Sequence, residues 1–254
     1  MKLNLRKCVF AQRSIQFLRQ IVGAGVRKSD PEKIAAVQHM KSPETKRDVR
    51  QVLGFFSYFR ECIPRFAELA KPITDLTSKR VSNKIPWGEK LEQAFKALKL
   101  ALCDATERSL QIVDCSKPHI LHVDASESAV SGILLQSDDN GNERPVAFIS
   151  AKLTDTQRAW ATIEREAYAS IWALGRFRNW IFAGPVVLFS DHNPFTYITE
   201  SAPKSPKLMR WALALQQYDV TFQYKTGKSN VAADCLSRMV SDNERGEPPR
   251  EEVP

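Results

Sequence analysis

Between residues 118 and 190 the hydrophobic pattern changes period twice, and this constrains the fold more than any other feature of the chain. The runs "HILHVD", "SGILLQ" and "RPVAFIS" are short, apolar and strand-like. The last two are joined through "SDDNGNE", where Asn140-Gly141 marks a tight turn. A helical period then takes over in "TIEREAYASIWALGRFRNWI", with Ile163, Ala167, Ile171, Leu174 and Ile181 on one stripe. "PVVLFSD" follows as a continuous apolar run, as expected of a strand buried on both faces. A three-stranded meander, one long helix and a buried strand predict a mixed α/β sheet. Beyond them, "LMRWALALQQY" predicts a helix, "VTFQYK" a strand and "NVAADCLSRM" a short last helix. The tail "SDNERGEPPREEVP" is charged and Pro-containing, and is expected to be disordered.

The upstream half reads differently. "SDPEKIAAV" predicts a helix capped by Ser29 or Asp30, with Pro31 in its first turn and Glu32 three residues after Ser29. "SPETKRDVRQVLGFFSYFRECI" predicts another, capped at Ser42, with Val49, Val52, Leu53, Phe56 and Phe59 at helical spacing. "IPRFAELAKPITDL" reads as a short helix broken at Pro72. "WGEKLEQAFKALKLAL" reads as an amphipathic one with Leu91, Phe95, Leu98 and Leu102 inward. Residues 28 to 117 are therefore expected to be mostly helical.

Charge divides the chain at the same place. Residues 1 to 117 hold 23 Lys plus Arg against 12 Asp plus Glu, a balance of +11, whereas residues 118 to 240 balance at 12 and 12. A basic half joined to a neutral one suggests that the first holds a polyanion while the second does something else. The five cysteines form no CxxC pair and make no zinc spacing with the four histidines, so a reduced, intracellular protein is expected. No stretch approaches 18 apolar residues, and "MKLNLRKCVF" lacks the apolar core of a signal peptide, so no membrane partner is expected.

Two predicted strands end on an aspartate, Asp124 in "HVDASES" and Asp191 in "LFSDHN". The long helix carries Glu164 and Glu166, and Asp234 lies in the first turn of the last helix. Clustered carboxylates repel one another unless divalent cations bind them, and hard ions such as Mg²⁺ take oxygen ligands of this kind. Two such ions about 4 Å apart can drive phosphodiester hydrolysis. Periodicity does not choose between Glu164 and Glu166, which lie on opposite flanks of the stripe centred near Leu174. The plain reading of Glu164 is a solvated helix face. Trp172, Trp180 and Trp211 fall among apolar residues at helical spacing, which favours core packing over base stacking.

Taken in order, these stretches resemble the C-terminal part of the reverse transcriptase of Gypsy-type long-terminal-repeat retrotransposons, a portion of their Pol polyprotein. "DPEKIAAV" and "SPETKRDVRQVLGFFSYFRECIPRFAELAKPITDL", with Gly54, Tyr58 and Pro72, resemble the family's thumb, and "PWGEKLEQAFKALKLAL" its connection. "HVDASESAVSGILLQ", "AFISAKLTDTQRAWATIEREAYASIWAL", "LFSDHNPF" and "YKTGKSNVAADCLSRM" follow in the order of its ribonuclease H domain. The implied division is 1–27 end of palm, 28–80 thumb-like helices, 81–117 connection, 118–240 ribonuclease H domain and 241–254 disordered tail. The implied fold is α/β, a ribonuclease H-like mixed five-stranded sheet flanked by helices and preceded by a small helical region. Two departures are Arg19-Gln20, where the family usually has Gly-His, and "SDH" where it commonly has "TDH".

The resemblance selects Asp124, Glu166, Asp191 and Asp234 as metal-binding catalytic carboxylates, with two Mg²⁺ ions, or Mn²⁺, as cofactor. It implies endonucleolytic hydrolysis of the RNA strand of an RNA–DNA hybrid, leaving 3′-hydroxyl and 5′-phosphate ends. His192 is an auxiliary candidate for product release or phosphate orientation, set against a plain turn histidine beside Asn193 and Pro194. Lys46, Arg47, Arg50, Lys225, Lys228 and Arg238 are candidate phosphate contacts. A reverse transcriptase subunit or other Pol products are further expected partners, in a cytoplasmic virus-like particle or the nucleus. The family's tyrosine and paired aspartates for polymerisation do not appear, so polymerase activity is not expected. The rival reading is a catalytically inactive or domesticated nucleic-acid-binding remnant; a transposase or integrase of the same overall fold is a third.

Overall fold

The computed structural model describes residues 8, 10–18, 20–30, 37–107, 109–182, 184–190, 198 and 205–224. Strands β1 (Ser14–Phe17), β2 (Gln20–Gly23) and β3 (Val26–Ser29) form an antiparallel meander. Ala24 and Gly25 connect β2 to β3 with φ of 50° and 74°, the left-handed pair whose twist suits a two-residue hairpin. Strand β4 (Leu110–Gln111) returns to pair antiparallel with β3, closing a four-stranded sheet. Strand Val26–Ser29 and strand Leu110–Gln111 correct the expectation of a helical region from 28 to 117 at its two ends. The helices lie between them.

Helix α1 (Lys46–Tyr58) is capped by Thr45, not by Ser42. The Thr45 hydroxyl accepts the Asp48 N–H at 3.2 Å and the Asp48 carboxylate accepts the Thr45 N–H at 2.9 Å, so each satisfies a donor that the helix end leaves open. The Thr45 hydroxyl also donates to the Asp48 carboxylate at 2.8 Å, and this bond together with the one from the Thr45 N–H holds that carboxyl below its ordinary pKa. Ser42 instead donates to Glu92 at 2.6 Å. Pro72 does not break a helix: α2 (Phe66–Leu69) has ended, and Pro72 sits in the first turn of α3 (Lys71–Asp75), where its missing N–H costs nothing. Helix α4 (Glu89–Glu107) buries Phe95, Leu98 and Leu102 against Val49, Val52 and Phe56 of α1, with the Phe56 and Phe95 rings edge to face at 6.4 Å.

The second sheet carries the expected α/β architecture. Strands β5 (His119–Ala125), β6 (Ala129–Ser137) and β7 (Glu143–Lys152) form an antiparallel meander. A helical turn, α5 (Asp155–Arg158), leads to the long helix α6 (Thr162–Ile181). Strand β8 (Val186–Ser190) then runs parallel to β5; helix α7 (Pro206–Leu215) and strand β9 (Val220–Tyr224), parallel to β8, complete the order β7-β6-β5-β8-β9. Trp172, Trp180 and Trp211 pack half-buried against this core, as expected.

Helix α6 seats Ala167, Ala169, Ala173, Leu174, Phe177 and Ile181 on one face of the sheet. Gly132 makes that seat close, because a Cβ there would lie 3.3 Å from the Cβ of Ala173. Strand residues alternate faces, so Ile133 and Phe148 point the other way. There they join the core built by α1–α4. Backbone and side chains bind the same junction: Phe148 N–H donates to Glu61 carbonyl at 3.0 Å, Arg27 to Val146 carbonyl at 3.1 Å and Arg60 to Ser150 carbonyl at 2.8 Å. The helical half thus covers the sheet face opposite α6. Among the described residues, no helix is long and apolar enough to cross a membrane.

Candidate active site at the carboxyl edge of the central strands

Asp124 stands near the end of β5, opposite Ser131 of β6, with its side chain half-buried. The next turn is tight: Ser126 Oγ accepts the Ala129 N–H at 3.0 Å, and the Ser126 N–H donates to the Ala129 carbonyl at 2.8 Å. Pairing of β5 with β8 is parallel, His122 opposite Phe189, so the carboxyl ends of both strands emerge at one edge of the sheet. Such edges are where open α/β sheets carry their ligands.

Helix α6 brings a second carboxylate towards that edge. Arg165 donates to the Ser126 carbonyl and to the Thr162 hydroxyl, both at 3.2 Å, which ties the first turns of α6 to the residue just beyond β5. Glu166 follows Arg165 and is buried at 2% exposure. Taking a carboxylate out of water costs several kcal/mol unless charge or hydrogen bonds compensate, so a buried one in the first turns of α6 is a candidate functional group. Glu164 turns elsewhere: it accepts from Lys207 of α7 at 2.7 Å, and the same ammonium lies 4.1 Å from the centre of the Trp160 ring. The expectation of a merely solvated Glu164 is corrected by this tether.

His122 and Arg65 are the neighbours that sequence reasoning did not single out. His122 is buried on the face of Asp124, stacked on Phe189 at 4.8 Å, with Nε2 3.9 Å from the Glu143 carboxylate. The two-residue spacing of His122 and Asp124 was the available signal. Arg65, Asp124, His122, Ser131 and Phe148 line one cavity. Arg65 lies 59 residues before Asp124, and no local pattern announces such a contact.

Of the candidate phosphate contacts, Arg47 and Arg50 are exposed on α1, while Lys46 donates to the Ser78 carbonyl at 2.8 Å. They lie away from the α1 face that buries Val49, Val52 and Phe56. Asp191, His192, Lys225, Lys228, Asp234 and Arg238 lie outside the described residues, as do "NVAADCLSRM" and the tail. Among the described residues no group of three or more His, Cys, Asp or Glu assembles that could hold a metal. The two members described, Asp124 and Glu166, offer oxygen donors only, the chemistry that suits a hard divalent cation.

Residues 114–218 match the RNase H-like domain found in reverse transcriptase. The whole chain is also similar to two Drosophila melanogaster proteins, the retrovirus-related Pol polyproteins from transposon opus and transposon gypsy. They are 37% and 35% identical over 94% and 98% of the chain. The chain spans about a quarter (24%) of the length of each. Among solved structures, a foamy viral protease-reverse transcriptase in complex with RNA/DNA hybrid superposes with a TM-score of 0.73 at 20% identity, over 98% of this chain and 33% of that one. The resemblance to Gypsy-type Pol and the ribonuclease H-like fold are thus both borne out. The matched residues include Asp124 and Glu166.

Proposed function

We propose that this chain is a divalent-metal-dependent ribonuclease H that cuts the RNA strand of RNA–DNA hybrids. The observation that carries this is Glu166: a carboxylate buried at 2% exposure, on the helix that Arg165 ties to the residue just beyond β5, the strand whose carboxyl end carries Asp124. Asp191 and Asp234 complete the proposed carboxylate set, with His192 as an auxiliary group. Two Mg²⁺ ions held by these residues would supply Lewis acidity towards the scissile phosphate. The chain's own contribution is to fix the carboxylates on rigid elements, to exclude water behind Glu166, and to present a half-open edge to a duplex.

The foamy viral relative of this fold is described in complex with an RNA/DNA hybrid, which supports the substrate class. The hybrid would be read by its A-like shape and RNA 2′-hydroxyls rather than by base sequence. Arg47 and Arg50, together with Lys46, Lys225, Lys228 and Arg238, would contact phosphates, making binding strongly salt-dependent. In this reading residues 28–117 are the thumb and connection, 118–240 the nuclease domain, and the working partners are other Pol products in a cytoplasmic particle or the nucleus.

The test is cleavage of an end-labelled RNA, free or annealed to DNA, with Mg²⁺ and with EDTA, by the native chain and by Asp124→Asn. Metal-dependent cutting of the annealed RNA only, abolished by Asp124→Asn, is the expected result. Binding without cutting, unchanged by Asp124→Asn, would leave a duplex-holding remnant.

A further inference from the structure

We infer that Arg65, from outside the RNase H-like domain, binds a backbone phosphate of the hybrid at the Asp124 site. This rests on the proposed substrate, and three observations support it. First, Arg65 and Asp124 line the same cavity, together with His122 and Ser131. Second, the guanidinium is only partly spoken for. It is ion-paired with Glu68, whereas its Nε is buried and has no hydrogen-bond partner. A buried N–H left without an acceptor is costly, and one on a residue that lines a cavity with a strand-end carboxylate is suited to an incoming oxygen.

Third, the backbone at Arg65 is held where an arginine is unfavourable. Its φ is 48°, in the left-handed region that a non-glycine residue rarely adopts. The surroundings enforce that conformation. Arg60 donates to the Ser150 carbonyl at 2.8 Å and, on the other side, the Ala67 N–H donates to the Ser150 hydroxyl at 2.8 Å, so β7 pins the segment both before and after Arg65. Ser150 pairs with Ser131, which pairs in turn with Asp124, so the segment is tied to the Asp124 row of the sheet. The chain is thereby committed to delivering a cation to this cavity. Arg65 keeps 26% side-chain exposure, enough to meet a phosphate at the cavity mouth. A planar guanidinium suits that oxygen geometry better than a lysine would.

The left-handed φ also supplies the test, because glycine adopts it freely. Arg65→Gly removes the cation while relieving the backbone, so its melting temperature is expected to hold or rise. Binding of a fluorescent RNA–DNA hybrid is measured by anisotropy across a salt series in the full chain, in an Asp124→Asn background that prevents cutting. Arg65→Gly and Arg65→Gln are each expected to weaken binding roughly tenfold. Both are also expected to lower the slope of log affinity against log salt by about one. Arg65→Lys should retain the slope. An unchanged slope in both neutral variants overturns the inference. Hybrid cleavage by the parent chain is scored separately. A chain that never cuts but loses the slope refutes the nuclease reading alone, and one that cuts with an unchanged slope refutes the Arg65 assignment alone.

Discussion

The backbone N–H of Phe148 donates to the carbonyl of Glu61 at 3.0 Å, joining a strand of the RNase H-like sheet to the segment between α1 and α2. The Phe148 ring is 5% exposed and lies in the same apolar cluster as Phe56, Phe59 and Ile63. The two halves therefore share a core. Phe148→Ala should cost about 3–5 kcal/mol, and helix and sheet signals should be lost in a single denaturant transition. Two separated transitions in the native chain would show that the junction is not cooperative.

Gly132 is the point where α6 presses on the sheet. A methyl group there meets the Cβ of Ala173 and Cγ1 of Ile149, each at 3.3 Å, and both are fixed by the core. Gly132→Ala is expected to destabilise by about 1–3 kcal/mol, as overpacking does, read as a drop in melting temperature. Gly54, with nothing within 4 Å of a built Cβ, is the control: Gly54→Ala in the middle of α1 should hold or raise it.

His119, at the start of β5, is buried at 1% exposure. Burial is the main cause that pushes its imidazole below the ordinary pKa, partly opposed by a backbone hydrogen bond with Pro185. The unfolded chain then binds the proton more readily. Stability is complete above the unfolded value of about 6.5 and falls as pH drops through it towards the lower folded value. Urea midpoints should decrease between pH 7.5 and 5.5, and His119→Leu should flatten that decrease. The shifted carboxyls, Asp48, Glu92, Asp114 and Asp138, the last lowered to about 2, titrate further down and do not contribute in this window.

The capping box at Thr45 gives a local prediction. Thr45→Ala should cost about 1 kcal/mol, whereas Ser42→Ala, which removes a bond to Glu92 and no cap, should leave the start of α1 intact by hydrogen exchange.

What was legible in the sequence follows the range of the interactions involved. Strands β5 to β8 and helix α6 announced themselves because burial on one face imposes a period, and Asn140-Gly141 marked the turn between β6 and β7. The N-terminal meander gave no such signal: β1 is exposed along its whole length, so no alternation appears in Ser14–Phe17. β4 is two residues long and finds β3 from about 80 residues away. Ser42-Pro43 reads as a cap in the sequence, but the Ser42 hydroxyl is taken up by Glu92 on α4 and the capping box forms at Thr45 and Asp48. Likewise the spacing of Glu164 and Glu166 left both open. Contact with Lys207 draws one outward, and packing on the sheet buries the other. Asp191 and Asp234 stood out by their places at a strand end and in a first helical turn, were selected by the resemblance, and remain part of the proposal.

The most direct test of the account compares Glu166→Gln with Glu164→Gln in cleavage of the RNA strand of a hybrid in Mg²⁺. If the buried carboxylate serves the site, Glu166→Gln should lower the cleavage rate by roughly a hundredfold or more. Glu164→Gln, losing only its tether to Lys207, should stay within a few-fold of the native chain. Loss of cleavage in Glu164→Gln with activity retained in Glu166→Gln would contradict the assignment of the site.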